Sequence, residues 1–164
     1  MTQLAVRDRE INATAAVLKI NGLELMLPQT EVRALESASD VGGSDPMERS
    51  VGWIGYMRQR WPVYCLSEEL ELLGSVPSSR RTCALLAIES GYVGVLCDDV
   101  SVQKQIAGKS HELPFAMRTA DTPITGLLPY GGGLMSITGA RRLAAYIDLQ
   151  VRKPSPIKEL QCLE

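Results

Sequence analysis

The sequence predicts a mainly β fold, either a β-barrel or sandwich or two small barrels packed together. Apolar runs rich in strand-forming residues recur at short intervals with turn-forming residues between them, which gives about eight or nine short strands. Few segments have the composition of a helix. The chain of 164 residues is 45% apolar but only 5% aromatic, so we expect a core built mainly from aliphatic side chains.

The beginning of the chain predicts a hairpin, a short apolar segment and a loop. Residues 1–13 are polar, and we expect them to be flexible. Asn21-Gly22 then separates two apolar runs, and this dipeptide is the strongest short-range signal for a β-hairpin. A short segment containing Val32 follows. The Ser, Asp, Gly and Pro residues of 37–46 predict a loop after it.

The stretch GWIGYMRQRWPVYCL, residues 52–66, predicts a second hairpin whose turn carries Arg58, Gln59 and Arg60. Its second strand contains Pro62, which cannot donate a hydrogen bond to a sheet. The arginines lie beside Trp and Tyr residues, and these three residue types concentrate binding energy at protein interfaces. The alternative is that the aromatic side chains are core residues and the arginines only solubilise the turn.

The middle of the chain predicts a short helix and a third hairpin. SEELELLG has Ser67 as a helix N-cap and acidic residues in its first turn, which predicts a helix of one or two turns. We expect Arg80 and Arg81 to be solvated. Two apolar runs joined by 89–91 predict the hairpin. Residues 103–123 are polar, and we expect irregular structure there.

The last quarter of the chain predicts two strands and a helix. The strands are joined through three consecutive glycines, 131–133. Residues 139–150 have helical composition, with apolar side chains at helical spacing and Thr138 as a candidate cap. Residues 151–164 contain two prolines that end regular structure, so we expect a C-terminal tail.

Charge and hydropathy exclude several classes of partner. The net charge is -2, with a sequence pI near 5.5, and no basic cluster suits nucleic acid or an anionic membrane. The first ten residues are charged and do not resemble a signal peptide. No apolar run is long enough to span a bilayer, so we expect a cytoplasmic protein without direct membrane insertion.

The residues that carry chemistry are sparse, so we expect no enzyme, no metal site and no cofactor. The four cysteines occur singly, which does not match the ligand spacing of a zinc site. Three of them lie in apolar strand-like segments, where a free cysteine acts as a small hydrophobic residue. An alternative from another functional class is a small enzyme that uses Cys97 or Cys65 together with His111, the only histidine.

Read in order, these segments resemble the CheW-like domain of bacterial chemosensory adaptors. The family has the pattern Gly-x-x-Asn-x-Arg-Gly-x-x-x-Pro-x-x-Asp-Leu. This chain keeps its first glycine, its proline and its leucine at the same spacing, as Gly52, Pro62 and Leu66. The pattern Gly-x-x-x-Asp-x-Val-Ser is matched by residues 94–101. The likeness covers residues 14–147, so we take 14–150 as one CheW-like domain with two β subdomains.

The resemblance implies two small β-barrel-like subdomains packed around a common apolar core, with short helices. In such a barrel, we expect Pro62 at a bulge or bend where a ladder donor is not required. The resemblance also implies a non-catalytic adaptor in chemotaxis or twitching motility. Its partners would be the regulatory domain of a CheA-type histidine kinase and the cytoplasmic tip of a methyl-accepting chemoreceptor.

The resemblance also selects candidate contact residues in both subdomains. In the first subdomain they are Val32, Gly52, Ile54, Met57 and Arg58. In the second subdomain they are Asp98 and Val100. We expect three further residues to maintain the fold rather than to bind, namely Pro62, Leu66 and Gly94.

The chain departs from the family pattern at four positions. The family's Asn, Arg, Gly and Asp correspond to Gly55, Met57, Arg58 and Cys65. An arginine is therefore still present, but it is displaced by one residue, which in a regular strand would place it on the opposite face. The alternative function is a divergent accessory scaffold of the same fold that has lost the usual receptor coupling.

Overall fold

Ten strands form two five-stranded sheets in the computed structural model, which describes residues 9–43 and 49–153. In chain order the strands are β1 (Arg9–Ile20), β2 (Leu23–Pro28), β3 (Val32–Ser37), β4 (Gly52–Tyr56), β5 (Gln59–Cys65), β6 (Thr82–Ile88), β7 (Gly91–Cys97), β8 (Asp99–Ser110), β9 (Gly126–Tyr130) and β10 (Gly133–Ile137). The first sheet has the order β8-β1-β2-β10-β9, and the second has the order β3-β6-β7-β5-β4. A helix, α1 (Ala140–Arg152), follows the last strand.

Both faces of the central strands are buried, which explains their nearly continuous apolar sequence. Along β1, Val17 packs in a cluster within the first sheet, whereas its neighbour Leu18 packs in a core shared by both sheets. Along β6, Leu85 belongs to a cluster within the second sheet, and Leu86 faces the shared core. The predicted mainly β fold with two subdomains around a common apolar core is therefore confirmed.

The turns predicted from glycine and asparagine have the expected backbone. Asn21 and Gly22 have φ angles of 46° and 91°, and they join β1 to β2. Gly131 and Gly132, with φ angles of 58° and 80°, join β9 to β10 in the same way. Positive φ at both turn residues matches the right-handed twist of the flanking strands, so these hairpins follow from local chemistry.

Pro62 lies within β5, and no bulge marks its position. It is opposite Trp53 of β4 in a register that continues without a shift from one end of the hairpin to the other. The backbone N–H and C=O of Trp53 both bond to Gly42, so this pair exchanges no hydrogen bonds across the hairpin. Pairing of β5 with β7 begins only at Val63. The expectation that no ladder donor is required from Pro62 is therefore confirmed, whereas a bulge, one of the two expected explanations, is wrong.

The predicted helix at residue 67 is also wrong, because this segment forms a turn. The Ser67 hydroxyl accepts hydrogen bonds from the backbone N–H groups of Glu69 and Glu71, as a cap would. Leu70 then adopts a left-handed φ of 65°, which interrupts any helix. Leu72 pairs with Leu66 in an isolated bridge. A segment this short forms a helix only when tertiary contacts stabilise it, and here the bridge to Leu66 stabilises the turn instead.

Two segments expected to be flexible or irregular belong to one strand pair. β1 begins at Arg9 rather than after residue 13, and β8 continues to Ser110 through the segment read as irregular. The two strands pair along residues 9–13 and 106–110. In β8 only Ile106 and Ser110 are buried, and an edge strand with a solvated face lacks the apolar pattern of a core strand. Residues 151–152, also expected in the C-terminal tail, belong to α1. The parts of the predicted tails in 1–8 and 154–164, and Cys162, lie outside the described residues.

The helix α1 is confirmed, but its N-terminus is not capped by Thr138. The Thr138 hydroxyl donates to the carbonyl of Pro123, whereas the Glu31 carboxylate accepts the N–H of Ala140 at 2.7 Å. A carboxylate from a distant turn thus satisfies a free helix donor. Leu143 and Ile147 face the shared core. No helix in the described part of the chain is long and apolar enough to cross a membrane.

Arg80 is buried, contrary to the expectation that it is solvated. Its side chain is 1% exposed, and its Nε lies 3.0 Å from Oδ1 of Asp98. Its Nη1 donates to the carbonyl of Leu66 at 2.7 Å. The other carboxylate oxygen of Asp98 accepts the backbone N–H of Asn21 at 2.7 Å. One arginine and one aspartate therefore connect the second sheet to the first hairpin of the first sheet.

The ionisation of Asp98 reflects this network. Partial burial raises the pKa of Asp98, but the hydrogen bonds from Asn21 and Ser79 and the nearby Arg80 guanidinium outweigh burial and hold that pKa below its usual range. The network therefore favours the charged carboxylate, and its contribution to stability is lost when the pH falls through the folded-state pKa.

Replacing Arg80 should destabilise the fold far more than replacing its neighbour. We expect Arg80→Met to lower the free energy of unfolding by about 3 kcal/mol, because it leaves the Asp98 carboxylate and the Leu66 carbonyl without their partner. Arg81→Met is the matched control, since Arg81 is exposed, and its effect should stay within about 0.5 kcal/mol. Urea denaturation of both variants measures this difference, and equal effects would contradict the structural role of Arg80.

Candidate protein-binding groove

A groove of about 190 Å³ runs between β3 of the second sheet and β8 of the first sheet. Val32 and Val100 both line it, so the fold brings together two predicted contact residues that the sequence analysis placed in separate subdomains. Buried Ala16 of β1 also lines it, as do Ala34 and Leu35 of β3. Within the described residues, β3 and β8 are each the edge strand of their sheet.

The walls of this groove present apolar side chains to solvent. Leu35 is 50% exposed and Val102 is 47% exposed, one on each side. Arg33 and Gln29 supply the polar groups of the lining. A cleft of this size is smaller than a typical small-molecule pocket, which has at least about 300 Å³. Its dimensions and apolar walls instead suit side chains from another protein.

The Met57-Arg58 turn is a second exposed feature, at the other edge of the second sheet. Met57 is 70% exposed, and Met57 and Arg58 have φ angles of 53° and 66°. Both residues form the two-residue turn between β4 and β5, so the strand alternation that would place Arg58 on an opposite face does not apply. Left-handed backbone at a residue with a side chain costs about 1–2 kcal/mol, and such strain is often found at functional sites.

The aromatic residues of this hairpin are partly packed and partly available. The Trp61 indole donates to the carbonyl of Tyr56 at 2.9 Å, and its ring meets Tyr92 edge to face at 5.2 Å. The Arg60 guanidinium lies 5.0 Å from the centre of the Trp53 ring, in cation–π geometry. Both tryptophans are half-buried. Each therefore packs partly against the protein and leaves part of its surface accessible, so neither the core nor the interface alternative describes them fully.

Three of the predicted contact residues are not available on the surface or are already engaged. Ile54 is 3% exposed and belongs to the cluster within the second sheet. Gly52 is buried, and a Cβ there would lie 2.1 Å from the carbonyl oxygen of Gly42. Asp98 is held by Arg80 and Asn21. These contacts favour a role in the fold over a role in binding for the three residues.

The residues predicted to maintain the fold lie where such a role requires. Leu66 is fully buried in the shared core. A Cβ on Gly94 would lie 2.9 Å from both the Cys83 sulfur and a methyl group of Val63, so the close approach of three strands requires glycine there. Their structural role remains a prediction that these contacts support.

The turn Phe115–Met117 was not singled out by the sequence, which placed it in an irregular polar segment. Phe115 is 86% exposed and Met117 is 53% exposed. Arg118 braces this turn, because its guanidinium donates to the carbonyl of Leu113 and pairs with Glu112 at 3.1 Å. The signal that could have identified it is the position of the only phenylalanine in a polar stretch.

The enzyme alternative gains nothing from the geometry. Cys97 is buried, and burial raises the pKa of its thiol, so the nucleophilic thiolate is disfavoured. Burial also raises the pKa of Cys65, although nearby Arg80 opposes that shift. His111 forms a backbone bridge with Leu127 of the first sheet, whereas both cysteines belong to the second. Among the described residues, no group of three or more His, Cys, Asp or Glu side chains could hold a metal ion.

Comparison with known proteins identifies the fold. No protein-family model matches the chain, and no curated protein matches it. Among solved structures, the chain is similar to the scaffolding protein TtCheW from Thermoanaerobacter tengcongensis, with a TM-score of 0.60 and 17% sequence identity. The match covers 81% of this chain and 92% of that one. The chain therefore has a CheW-like fold.

Relief of the strained turn should stabilise the hairpin. We expect Arg58→Gly to raise the free energy of unfolding by about 0.5–1 kcal/mol, because glycine adopts the left-handed backbone without steric cost. Arg60→Gly is the matched control within a strand, where glycine should instead lower stability by about 0.5–1 kcal/mol. Thermal and urea unfolding measure both changes. A loss of stability in Arg58→Gly would show that the turn is not strained.

Proposed function

We propose that this protein is a non-catalytic cytoplasmic adaptor that couples a methyl-accepting chemoreceptor to the regulatory domain of a CheA-type histidine kinase. The output would be chemotaxis or twitching motility. The observation that carries this proposal is the apolar groove between β3 and β8, with Leu35 and Val102 exposed on its two sides. The CheW-like fold of the chain supports the same proposal.

The groove suits the receptor on the proposal that a helical segment of its cytoplasmic tip enters the groove. An amphipathic helix presents an apolar stripe with side chains at positions i, i+3, i+4 and i+7, which can pack between two apolar walls. The exposed portions of Leu35 and Val102 would be buried on contact. Arg33, in the lining of the groove, can pair with acidic residues beside such a stripe.

An adaptor needs a second surface that stays free when the first is occupied. The Met57-Arg58 turn lies on β4 and β5, at the opposite edge of the second sheet from β3. An exposed methionine and arginine, with the Arg60–Trp53 pair beside them, have the composition of an interface anchor. We assign this hairpin to the kinase. The exposed Phe115–Met117 turn, which extends from the first sheet, is a further contact surface for assembly of several proteins.

An alternative proposal is a divergent accessory scaffold that has lost the usual receptor coupling. The observation that favours it is Met57, which is exposed where the family pattern has an arginine. An uncharged side chain there removes a donor that a receptor or kinase carboxylate would need. Under this alternative the hairpin is the surface that once contacted the receptor, so receptor binding is lost, and the kinase binds elsewhere on the protein.

Calorimetric titration against two separate partners tests the proposal. The partners are a receptor cytoplasmic-tip fragment and the isolated kinase regulatory domain from the same cell. We expect Leu35→Asp to weaken receptor binding at least tenfold, about 1.4 kcal/mol, and to leave kinase binding unchanged. We expect Arg58→Glu to have the reverse pattern.

The matched control is Val76→Asp, because Val76 is also an exposed apolar residue, 43% accessible, but lies outside the groove and the hairpin. It should bind both partners as the unmodified protein does. Kinase binding without receptor binding by the unmodified protein would favour the accessory scaffold. Binding of neither partner by a folded protein would refute the adaptor proposal.

A further inference from the structure

A larger cavity lies between the second sheet and α1. It has a volume of about 500 Å³ and is lined by residues of β5, the β6–β7 hairpin and the middle of α1. The volume falls within the range of small-molecule sites, about 300–1,000 Å³. Trp61, Tyr64 and Tyr92 give it an aromatic lining. The groove between β3 and β8 shares no residue with this cavity.

Tyr64 carries a polar group that the described protein leaves unused. The residue is 8% exposed and lines the cavity. No hydrogen bond joins its hydroxyl to another of the described residues. A buried hydroxyl normally has a hydrogen-bond partner. The unused hydroxyl therefore points to a ligand or to water.

The aromatic walls are built into the hairpin. Trp61 and Tyr92 meet at an interplanar angle of 76°, which forms a corner open to the cavity. A Cβ on Gly91 would lie 2.3 Å from the Trp61 ring, so glycine lets the indole pack directly on the backbone. Pro62 lines the same wall and brings no N–H that would need a partner. Pro62, from which the sheet requires no hydrogen-bond donor, thus contributes an apolar surface to the cavity.

The charge of the cavity favours a cation. Among the described residues, Asp148 of α1 is the only charged residue in its lining, and no basic side chain lines it. Burial raises the pKa of Tyr64, and the nearby Asp148 carboxylate raises it further. One oxygen of Asp148 pairs with Arg152 at 2.8 Å. Aromatic faces combined with a carboxylate attract ammonium groups through cation–π and ionic contacts.

We infer that this cavity binds a small organic ammonium ion with an aromatic or aliphatic body. The body would pack in the corner of Trp61 and Tyr92. The ammonium group would donate to the Asp148 carboxylate and to the Tyr64 hydroxyl, which lacks a partner in the described chain. This site is independent of the adaptor proposal, because it uses a different surface and a different class of ligand.

Titration of the full chain with 2-phenylethylammonium tests the inference, with 2-phenylethanol as the neutral ligand of similar shape. Chemical-shift changes of the tryptophan indole N–H groups report binding. We expect saturable binding of the ammonium ion with a dissociation constant below about 1 mM, and at least tenfold weaker binding of the alcohol. Equal binding of the two ligands would refute the role of charge.

Variants separate a built site from a general attraction of cations. Asp148→Asn should weaken binding at least tenfold, and Tyr64→Phe several-fold. Arg152→Gln should strengthen binding, because it frees the Asp148 carboxylate, whereas damage to the helix would weaken it. Asp99→Asn is the control, since this exposed carboxylate lies outside the cavity, and it should have no effect.

Absence of saturable binding to the unmodified protein would overturn the inference, as would unchanged affinity in Asp148→Asn. Thermal unfolding of each variant confirms that it is folded before the affinities are compared.

Discussion

The ion pair between Arg80 and Asp98 is the contact on which the arrangement of the two sheets depends. Arg80 precedes β6, the partner of β3, and Asp98 directly precedes β8. Asp98 also accepts a hydrogen bond from the turn between β1 and β2. A buried guanidinium without this carboxylate would be strongly destabilising, so the fold keeps the two residues together. The pair therefore fixes the start of β8 relative to the strand beside β3.

The proposed functions follow from this fixed arrangement. A groove between two edge strands of different sheets can recognise a partner without reorganisation only if the sheets do not move relative to each other. The proposed receptor groove, the proposed kinase hairpin and the proposed ammonium cavity use different parts of the second sheet: the edge at β3, the turn at Met57 and the face under α1. The groove and the cavity share no lining residue, which is compatible with the proposed adaptor role.

The sequence predicts turns, because they depend on the backbone preferences of adjacent residues. It does not predict which distant residues provide hydrogen bonds to buried polar groups. The turn at Asn21 was predicted because two backbone angles determine it. The sequence did not predict the burial of Arg80, because its partner is distant in sequence. It also did not predict the second half of β8, because a solvated edge strand has no apolar pattern. The resemblance selected Val32 and Val100, but only the fold places them in one groove. It also selected Ile54, whose burial depends on packing that no short motif encodes.

Hydrogen–deuterium exchange of the full chain, with and without a chemoreceptor cytoplasmic-tip fragment, tests the central claim most directly. The claim is that β3 and β8 form one preorganised binding surface. It predicts that the fragment slows exchange in residues 32–37 and 99–102 together, while the β4–β5 hairpin is unaffected. Protection of only one of these strands, or protection confined to α1 and the β6–β7 hairpin, would contradict the account.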